Sequence, residues 1–475
     1  MFALPGIVAL IVLIFVRPQE IIPELQRLPL LYGCFGLAVL GLAVDLRLRV
    51  NKAQKTPQLP YAIALFLWAM VSLAINAPDQ LIANAIEFGV AVTLYVVIAH
   101  SVHTFRALQI VAGVLLTLTV ALALIGVHQG LSPYGCVLVD PDKTGDITQG
   151  VHDGRSCRET PGGGGEDLDC YLRGEPEPGA DYICEHIGLL GTTSVAGRVR
   201  YRGVLQDPNE LALVLGVGLS LAFAFAMRRG QETRRRGAAI ALAVLTFGAV
   251  ATCIQFTQSR GGQLVLLSVL LVHALWRWKW KAVAVLALLA PVALLMMGGD
   301  GDGGRVDAHA STEERYEAWA TGIQLFRSSP IWGIGHEQFV EHHYLTAHNS
   351  YVLALAETGA VGLLLWGAVI YLSLKIPFTA LRRYRGIPEA RVAVTWSLTI
   401  LASFAAFMVG IFFLSFSWHL VLWIYIGLSG ALYSAIRTHD PDFRVPFGLG
   451  DLAIVGGVGA TLIAVLFTYL RARGY

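Results

Sequence analysis

The chain has 475 residues, of which 55% are hydrophobic and 14% charged, and its mean hydropathy is +0.61. That balance excludes an ordinary soluble globular domain, and the apolar runs that recur along it approach the roughly 20 residues needed to cross a bilayer. The formal net charge of +2 decides little, because the placement of charge matters more than its sum, and no nucleic-acid partner is expected.

Taken in order, apolar segments predict spans at 2–16, 28–46, 60–76, 81–100, 107–127, 208–227, 238–257, 262–276, 282–297, 350–374, 393–413, 418–436 and 452–470. The fold class is therefore all-α, a polytopic helical membrane protein of about 12–13 spans. Residues 2–16 lack a positive leader and a small-residue cleavage site, so they read as a retained span. Basic clusters at Arg47–Lys55, Arg228–Arg236, Arg277–Lys281 and Lys375–Arg391 share one side, which the positive-inside rule makes cytoplasmic. Two long loops then fall outside the cytoplasmic membrane. The resulting division is 1–127 (first spans), 128–207 (an acidic loop), 208–297 (central spans), 298–349 (a second outer loop) and 350–475 (last spans). The final span is the exception, because it leaves Arg471 and Arg473 on the outer side unless an early segment is re-entrant.

The first outer loop carries twelve Asp or Glu against four Lys or Arg between His128 and Leu190, and four cysteines, Cys136, Cys157, Cys170 and Cys184. In an oxidising compartment this even set predicts two disulfides of undefined pairing. The turn from Asp140 to Asp146 has the alternating oxygens and sixth-position Gly of a calcium loop, but Val151 stands where the bidentate Glu belongs, and no metal is assigned.

Three polar constellations sit at the outer ends of spans. RVRYRGVLQDPNELA places Arg198, Arg200 and Arg202 before a helix started by Asp207, Pro208 and Asn209. QSRGG sets Arg260 in a tight turn between spans, either as a functional cation or as an arginine snorkelling to headgroups. The third runs from the Gly-rich stretch at 298–304 into STEERYEAWATGIQLF, where Ser311 and Glu314 suggest a capping box. Arg315, Trp319, Gly322 and Phe326 then share one helix face, fit either to hold an anion or to lie on the membrane with Trp319 as anchor. His348 opens the next span, HNSYVLALAETG, where an imidazole can exchange a proton near neutral pH. Glu357, deeper in that span, is expected to point into the bundle in a supporting role.

Other chemistries fit less well. His336, His342, His343 and His348 match no zinc spacing, and Ser350 beside His348 has no nucleophile-elbow context. Neither a phosphate loop nor a dinucleotide fingerprint is present, so no cofactor is expected.

RGxxxDPNELA, SRGG, the R-x-x-x-W helix followed by SPIWGIG, and HNSYVLALAETGAVG, in this order, resemble the bacterial O-antigen ligase and O-antigen polymerase superfamily. The resemblance covers roughly 200–375. It implies a GT-C-like, metal-independent, inverting glycosyltransferase. Such an enzyme moves a glycan from an undecaprenyl diphosphate carrier to an acceptor sugar hydroxyl, on a glycan or a lipid A core, at the outer face of the cytoplasmic membrane. Membrane lipids and other polysaccharide assembly proteins are its expected partners. Its essential groups map onto Arg260, Arg315 and His348, expected to converge on one outward-facing pocket. Arg200, Arg202, Asn209, Trp319, Asn349 and Tyr351 are expected to bind substrate, with Glu210 and Glu357 in support. The long Cys-containing loop departs from the family's compact first half. A transporter or flippase of lipid-linked saccharides, and a non-catalytic scaffold of a polysaccharide export complex, are the alternative readings. The clustering of polar groups at one face argues against a transport path.

Overall fold

A computed structural model describes residues 2–49, 55–138, 182–227, 233–281 and 302–475. Its helices are α1 (Ala3–Val16), α2 (Leu30–Arg47), α3 (Leu59–Asn76), α4 (Leu81–Ser101), α5 (Phe105–Leu131), α6 (Pro208–Ala226), α7 (Thr233–Phe256), α8 (Arg260–Trp278), α9 (Asp302–Ser328), α10 (Ser350–Arg383), α11 (Arg391–Gly410), α12 (Leu420–His439) and α13 (Leu449–Arg473). Twelve helical segments among the described residues are long and apolar enough to cross a membrane, matching twelve of the thirteen expected spans; the expected span 282–297 lies outside the described residues. An antiparallel ribbon joins β1 (Tyr134–Leu138) to β2 (Tyr182–His186), with Cys136 and Cys184 directly opposed in register. Cys157, Cys170 and the turn 140–146 lie outside the described residues.

Long-range hydrogen bonds gather one set of helix ends. Tyr201 donates its hydroxyl to Val16 O (3.1 Å), Arg200 N donates to Gln129 Oε1 (2.9 Å), Val199 N to Phe256 O (3.1 Å) and Ser350 N to Ile411 O (2.9 Å). His419 joins them, donating from Nε2 to Val204 O at 3.0 Å while its Nδ1 accepts from Val421 N, so the two bonds fix its tautomer. The opposite end carries Arg47, Arg277, Arg382, Arg383 and Arg391 at the tips of α2, α8, α10 and α11. There Asp45, near the end of α2, accepts from Phe2 N at 2.9 Å, setting the start of α1 beside it.

The last helix crosses between these ends. Asp451 pairs with Lys375 at the basic end (2.5 Å), and Tyr469 meets the Tyr316 hydroxyl at the other (2.8 Å). Arg473 thus reaches the less basic end, 5.8 Å from the Tyr316 ring. The terminal helix, rather than an early re-entrant segment, makes the exception to the charge pattern.

One local expectation gives way. The helix expected to start at Ser311 begins at Asp302, so Ser311 lies inside it rather than at its cap. Gly303 and Gly304 disfavour helix, but only by about 1 kcal/mol each, and neither Pro nor a strong cap intervenes before the good helix formers that follow. Further on, the chain after α9 turns into the bundle, with 333–336 buried while Ile331 and Trp332 stay exposed. Residues 330–338 insert between α3, α4 and α10, where α10 is broken: Gly359 has φ 66 and ψ −170, a region essentially reserved for glycine. The break frees carbonyls at membrane depth, which must find donors within the protein. Ile334 N and Gly335 N donate to the carbonyls of Ala356 and Glu357 (3.0 Å each), Trp68 Nε1 to that of Thr358 (2.8 Å), and Ala360 N to Pro330 O (2.9 Å). On the loop side, Ser72 Oγ donates to Trp332 O (2.6 Å) and Asn76 Nδ2 to Gly333 O (3.1 Å), while Trp68 and Trp332 stack at 4.7 Å. SPIWGIG is therefore a plug that completes a broken helix.

Candidate active site

The site is assembled on the start of α6. Asp207 takes extended backbone (φ −79, ψ 127) and caps the helix, its Oδ1 accepting from Asn209 N (2.7 Å) and Asn209 Nδ2 (2.9 Å), as the DPN signature predicts. The amide of Asn209, so oriented, presents Oδ1 to Arg198 Nη2 at 3.1 Å, and Arg198 Nε donates to Thr257 O at 2.9 Å. One arginine thus links the segment before α6 to the end of α7, next to the turn that carries Arg260.

Arg315 and His348, from the other half of the chain, lie within electrostatic reach of this carboxylate. Burial presses the guanidinium groups of Arg198 and Arg315 below their usual range, and the charge of Asp207 opposes that shift in both. Both remain cationic at neutral pH, because a guanidinium titrates far above it. Burial also lowers the His348 pKa; the charges of Arg315 and His343 press the same way and Asp207 opposes them. His348 is therefore neutral near pH 7, with a lone pair free to accept a proton.

The backbone at His348 is held in the left-handed region (φ 45), which costs a residue with a Cβ roughly 1–2 kcal/mol. Its neighbours fix it there. Asn349 Oδ1 accepts from Tyr351 N (3.0 Å) and Val352 N (3.1 Å), starting α10. Ser350 Oγ donates to Leu414 O (2.6 Å) and accepts from Phe416 N (2.7 Å), so this hydroxyl stitches α10 to the α11–α12 linker. The Arg315 face of α9 packs inward: Trp319 is 6% exposed and meets Phe412 edge-on at 5.6 Å. A Cβ on Gly322 would collide with Val352, so the two helices approach closely there. Burial of Trp319 removes the reading of α9 as a helix lying on the membrane with Trp319 as its anchor. Its Nε1 and the Nδ2 of Asn349 are buried without a hydrogen-bond partner among the described residues.

The other expected residues separate. Arg260 is the first residue of α8, at the same end of the bundle, but its side chain is exposed and no contact with Arg315 or His348 is seen among the described residues. Its turn leans on the α11–α12 linker, since a Cβ on Gly261 would lie 3.6 Å from Phe413. Arg200 turns away to Thr193 O (3.2 Å). Arg202 ties the carbonyls of Leu190 and Gly191 (2.6 Å each) and of Glu20. Tyr351 donates to Met408 O at 3.1 Å and packs on Trp366. Glu210 is half-buried in the first turn of α6. Glu357 is buried within the bundle as expected, accepting from Trp418 Nε1 at 2.7 Å and sitting where α10 breaks, so it holds the plug and the α11–α12 linker together.

Motif reasoning named Arg198 and Asp207 without a site role, and SPIWGIG without its place in the fold. Three arginines at alternate positions present the same face of an extended segment, so spacing does not choose among them. Asp207 read only as a cap. In the plug, His336 is fully buried between Phe88 (4.9 Å) and Trp418 (4.8 Å), and burial pushes its pKa down to about 3. Burial, with the charge of Glu87 adding to it, raises Glu337 to about 7.

Two buried guanidinium groups and a neutral imidazole, all within electrostatic reach of Asp207, make a site that can hold an anion and accept a proton. A comparison with curated proteins gives no match. Residues 245–367 match the family model described as O-Antigen ligase, a stretch that contains Arg260, Arg315 and His348 but not Arg198 or Asp207. Over that stretch the chain is similar to the O-antigen ligase family, in line with the superfamily that its motifs resemble.

Proposed function

We propose that the protein is a membrane glycosyltransferase that transfers or polymerises glycan from an undecaprenyl diphosphate-linked donor onto an acceptor sugar hydroxyl, at the outer face of the cytoplasmic membrane. The observation that carries this reading is Arg198 held through Asn209 beside Asp207, with Arg315 and neutral His348 close enough for the same carboxylate to act on both. His348 takes the proton of the acceptor hydroxyl as that oxygen attacks the anomeric carbon. The bond from that carbon to the diphosphate oxygen breaks on the opposite face, inverting the centre and releasing undecaprenyl diphosphate. Arg198 and Arg315 stabilise the charge that gathers on the leaving diphosphate, a contribution of about two to three orders of magnitude per group in comparable sites. Arg260, exposed at the start of α8, meets the diphosphate as the donor enters from the bilayer. Among acceptors, polymerase or exopolysaccharide assembly is preferred over ligation to a lipid A core, because nothing in the chain specifies that core.

The cross-strand position of Cys136 and Cys184 supports a disulfide closing the acidic loop onto the end of α5.

The experiment uses reconstituted protein with a lipid-linked oligosaccharide as donor. Release of undecaprenyl diphosphate with growth of the lipid-linked chain supports a polymerase. Release only when a lipid A core acceptor is added supports a ligase. Movement of donor across the bilayer without release of carrier contradicts both.

A further inference from the structure

At the basic end, far from the candidate active site, a cleft of about 800 Å³ opens between the start of α3, the end of α12 and the segment leading to α13. Lys55, Arg437 and Arg444 line it, and among the described residues no carboxylate does. Arg437 is positioned rather than loose: Nη2 donates to Pro441 O at 3.1 Å and the guanidinium lies 5.8 Å from the Tyr433 ring. Its Nε is buried and has no hydrogen-bond partner among the described residues. Three cations around an apolar floor, one with an unanswered donor, form a receptor for an anion with a greasy attachment.

The remaining wall is apolar, with Ile63 and Val445 among its residues. Ile63 also begins a row on α3, continued by Leu67, Val71 and Ile75 at four-residue spacing, each 44–57% exposed. The row leads from the cleft along the lipid-facing side of α3. A free phosphate would have no use for it; a hydrocarbon chain joined to a phosphate would lie along it.

We propose that this cleft binds the headgroup of an anionic phospholipid, its phosphate held by Lys55, Arg437 and Arg444 and one acyl chain laid along Ile63, Leu67, Val71 and Ile75. The site is distinct from the one assigned to the glycan donor and does not depend on that assignment.

The test uses the purified full-length protein. Retention of dioleoylphosphatidylglycerol, dioleoylphosphatidylcholine and inorganic phosphate is compared by native mass spectrometry and by the shift each gives in thermal unfolding. Wild type is expected to retain phosphatidylglycerol over phosphatidylcholine. Lys55→Ala/Arg444→Ala, at two exposed positions whose change leaves the core intact, is expected to weaken that retention about fivefold for each charge removed. Arg382→Ala/Arg391→Ala, also exposed at this end but outside the cleft, is expected to behave as wild type. Equal retention of phosphatidylglycerol by wild type and Lys55→Ala/Arg444→Ala overturns the proposal. So does inorganic phosphate binding as tightly as the lipid, which would leave the acyl row without a role.

Discussion

Arg198 donates from Nη2 to the Oδ1 of Asn209 at 3.1 Å, and that amide is itself held by Asp207. The bond fixes a guanidinium at the start of α6, while Arg202, four residues on, is spent on three backbone carbonyls of neighbouring loops. Arg198→Ala is expected to lower glycan transfer by about 10²–10³-fold with the fold intact. Arg202→Ala is expected to act on stability instead, lowering the unfolding temperature with little change in the rate per folded molecule. Turnover and thermal unfolding of the two purified variants check the split.

Gly359 adopts a backbone that residues with a Cβ avoid, and a Cβ there would collide with the carbonyl of Ile331. Gly359→Ala is expected to destabilise the protein by at least about 2 kcal/mol and to dislodge the plug at 330–338. The check is thermal unfolding together with proteolysis after that loop. Wild-type behaviour in both would mean that the plug does not depend on the break.

His336 contributes a pH dependence of defined sign. Its pKa is about 3 in the folded chain against an ordinary histidine value of 6.5, so the unfolded chain binds the extra proton first as pH falls. The contribution of His336 to stability is lost as pH drops below about 6.5, by about 2 kcal/mol at pH 5, while the raised carboxyl of Glu337 acts in the opposite direction. His336→Phe keeps the ring between Phe88 and Trp418 and removes the titration. The variant is expected to lose less stability than wild type between pH 7.5 and pH 5, measured by chemical unfolding at both values.

Cys136 and Cys184 oppose one another across the ribbon that closes the acidic loop. Non-reducing peptide mapping is expected to recover them as one linked pair, and a Cys136→Ser variant to free Cys184 for alkylation. Recovery of Cys136 linked to Cys157 or Cys170 would contradict the pairing.

Much of the bundle was legible because long apolar runs have few ways to satisfy their backbone in a bilayer other than as helices. The start of α6 was legible too, since Asp, Pro and Asn in that order meet the needs of a helix N-terminus through local bonds alone. What the sequence could not disclose depends on partners distant in the chain. Arg198 reaches Thr257 and Arg202 reaches Glu20, and nothing in RVRYR distinguishes the two. The seat of the inserted loop was hidden for the same reason: SPIWGIG stands out as a motif, but where it docks depends on Gly359, which breaks α10 and exposes carbonyls for it to cover. Arg260 stands out by its place in a polar turn, but whether it meets the others depends on where the donor lies.

The most direct test of the central claim is donor turnover by His348→Ala and Arg315→Ala, with a pH profile of the wild-type rate. Neutral His348 acting as base predicts a loss of about 10²–10⁴-fold in His348→Ala. It also predicts a wild-type rate that falls on acidification with a midpoint below the ordinary histidine value of 6.5, because burial and Arg315 both lower that pKa. Folded variants that both release undecaprenyl diphosphate within threefold of wild type would contradict the account.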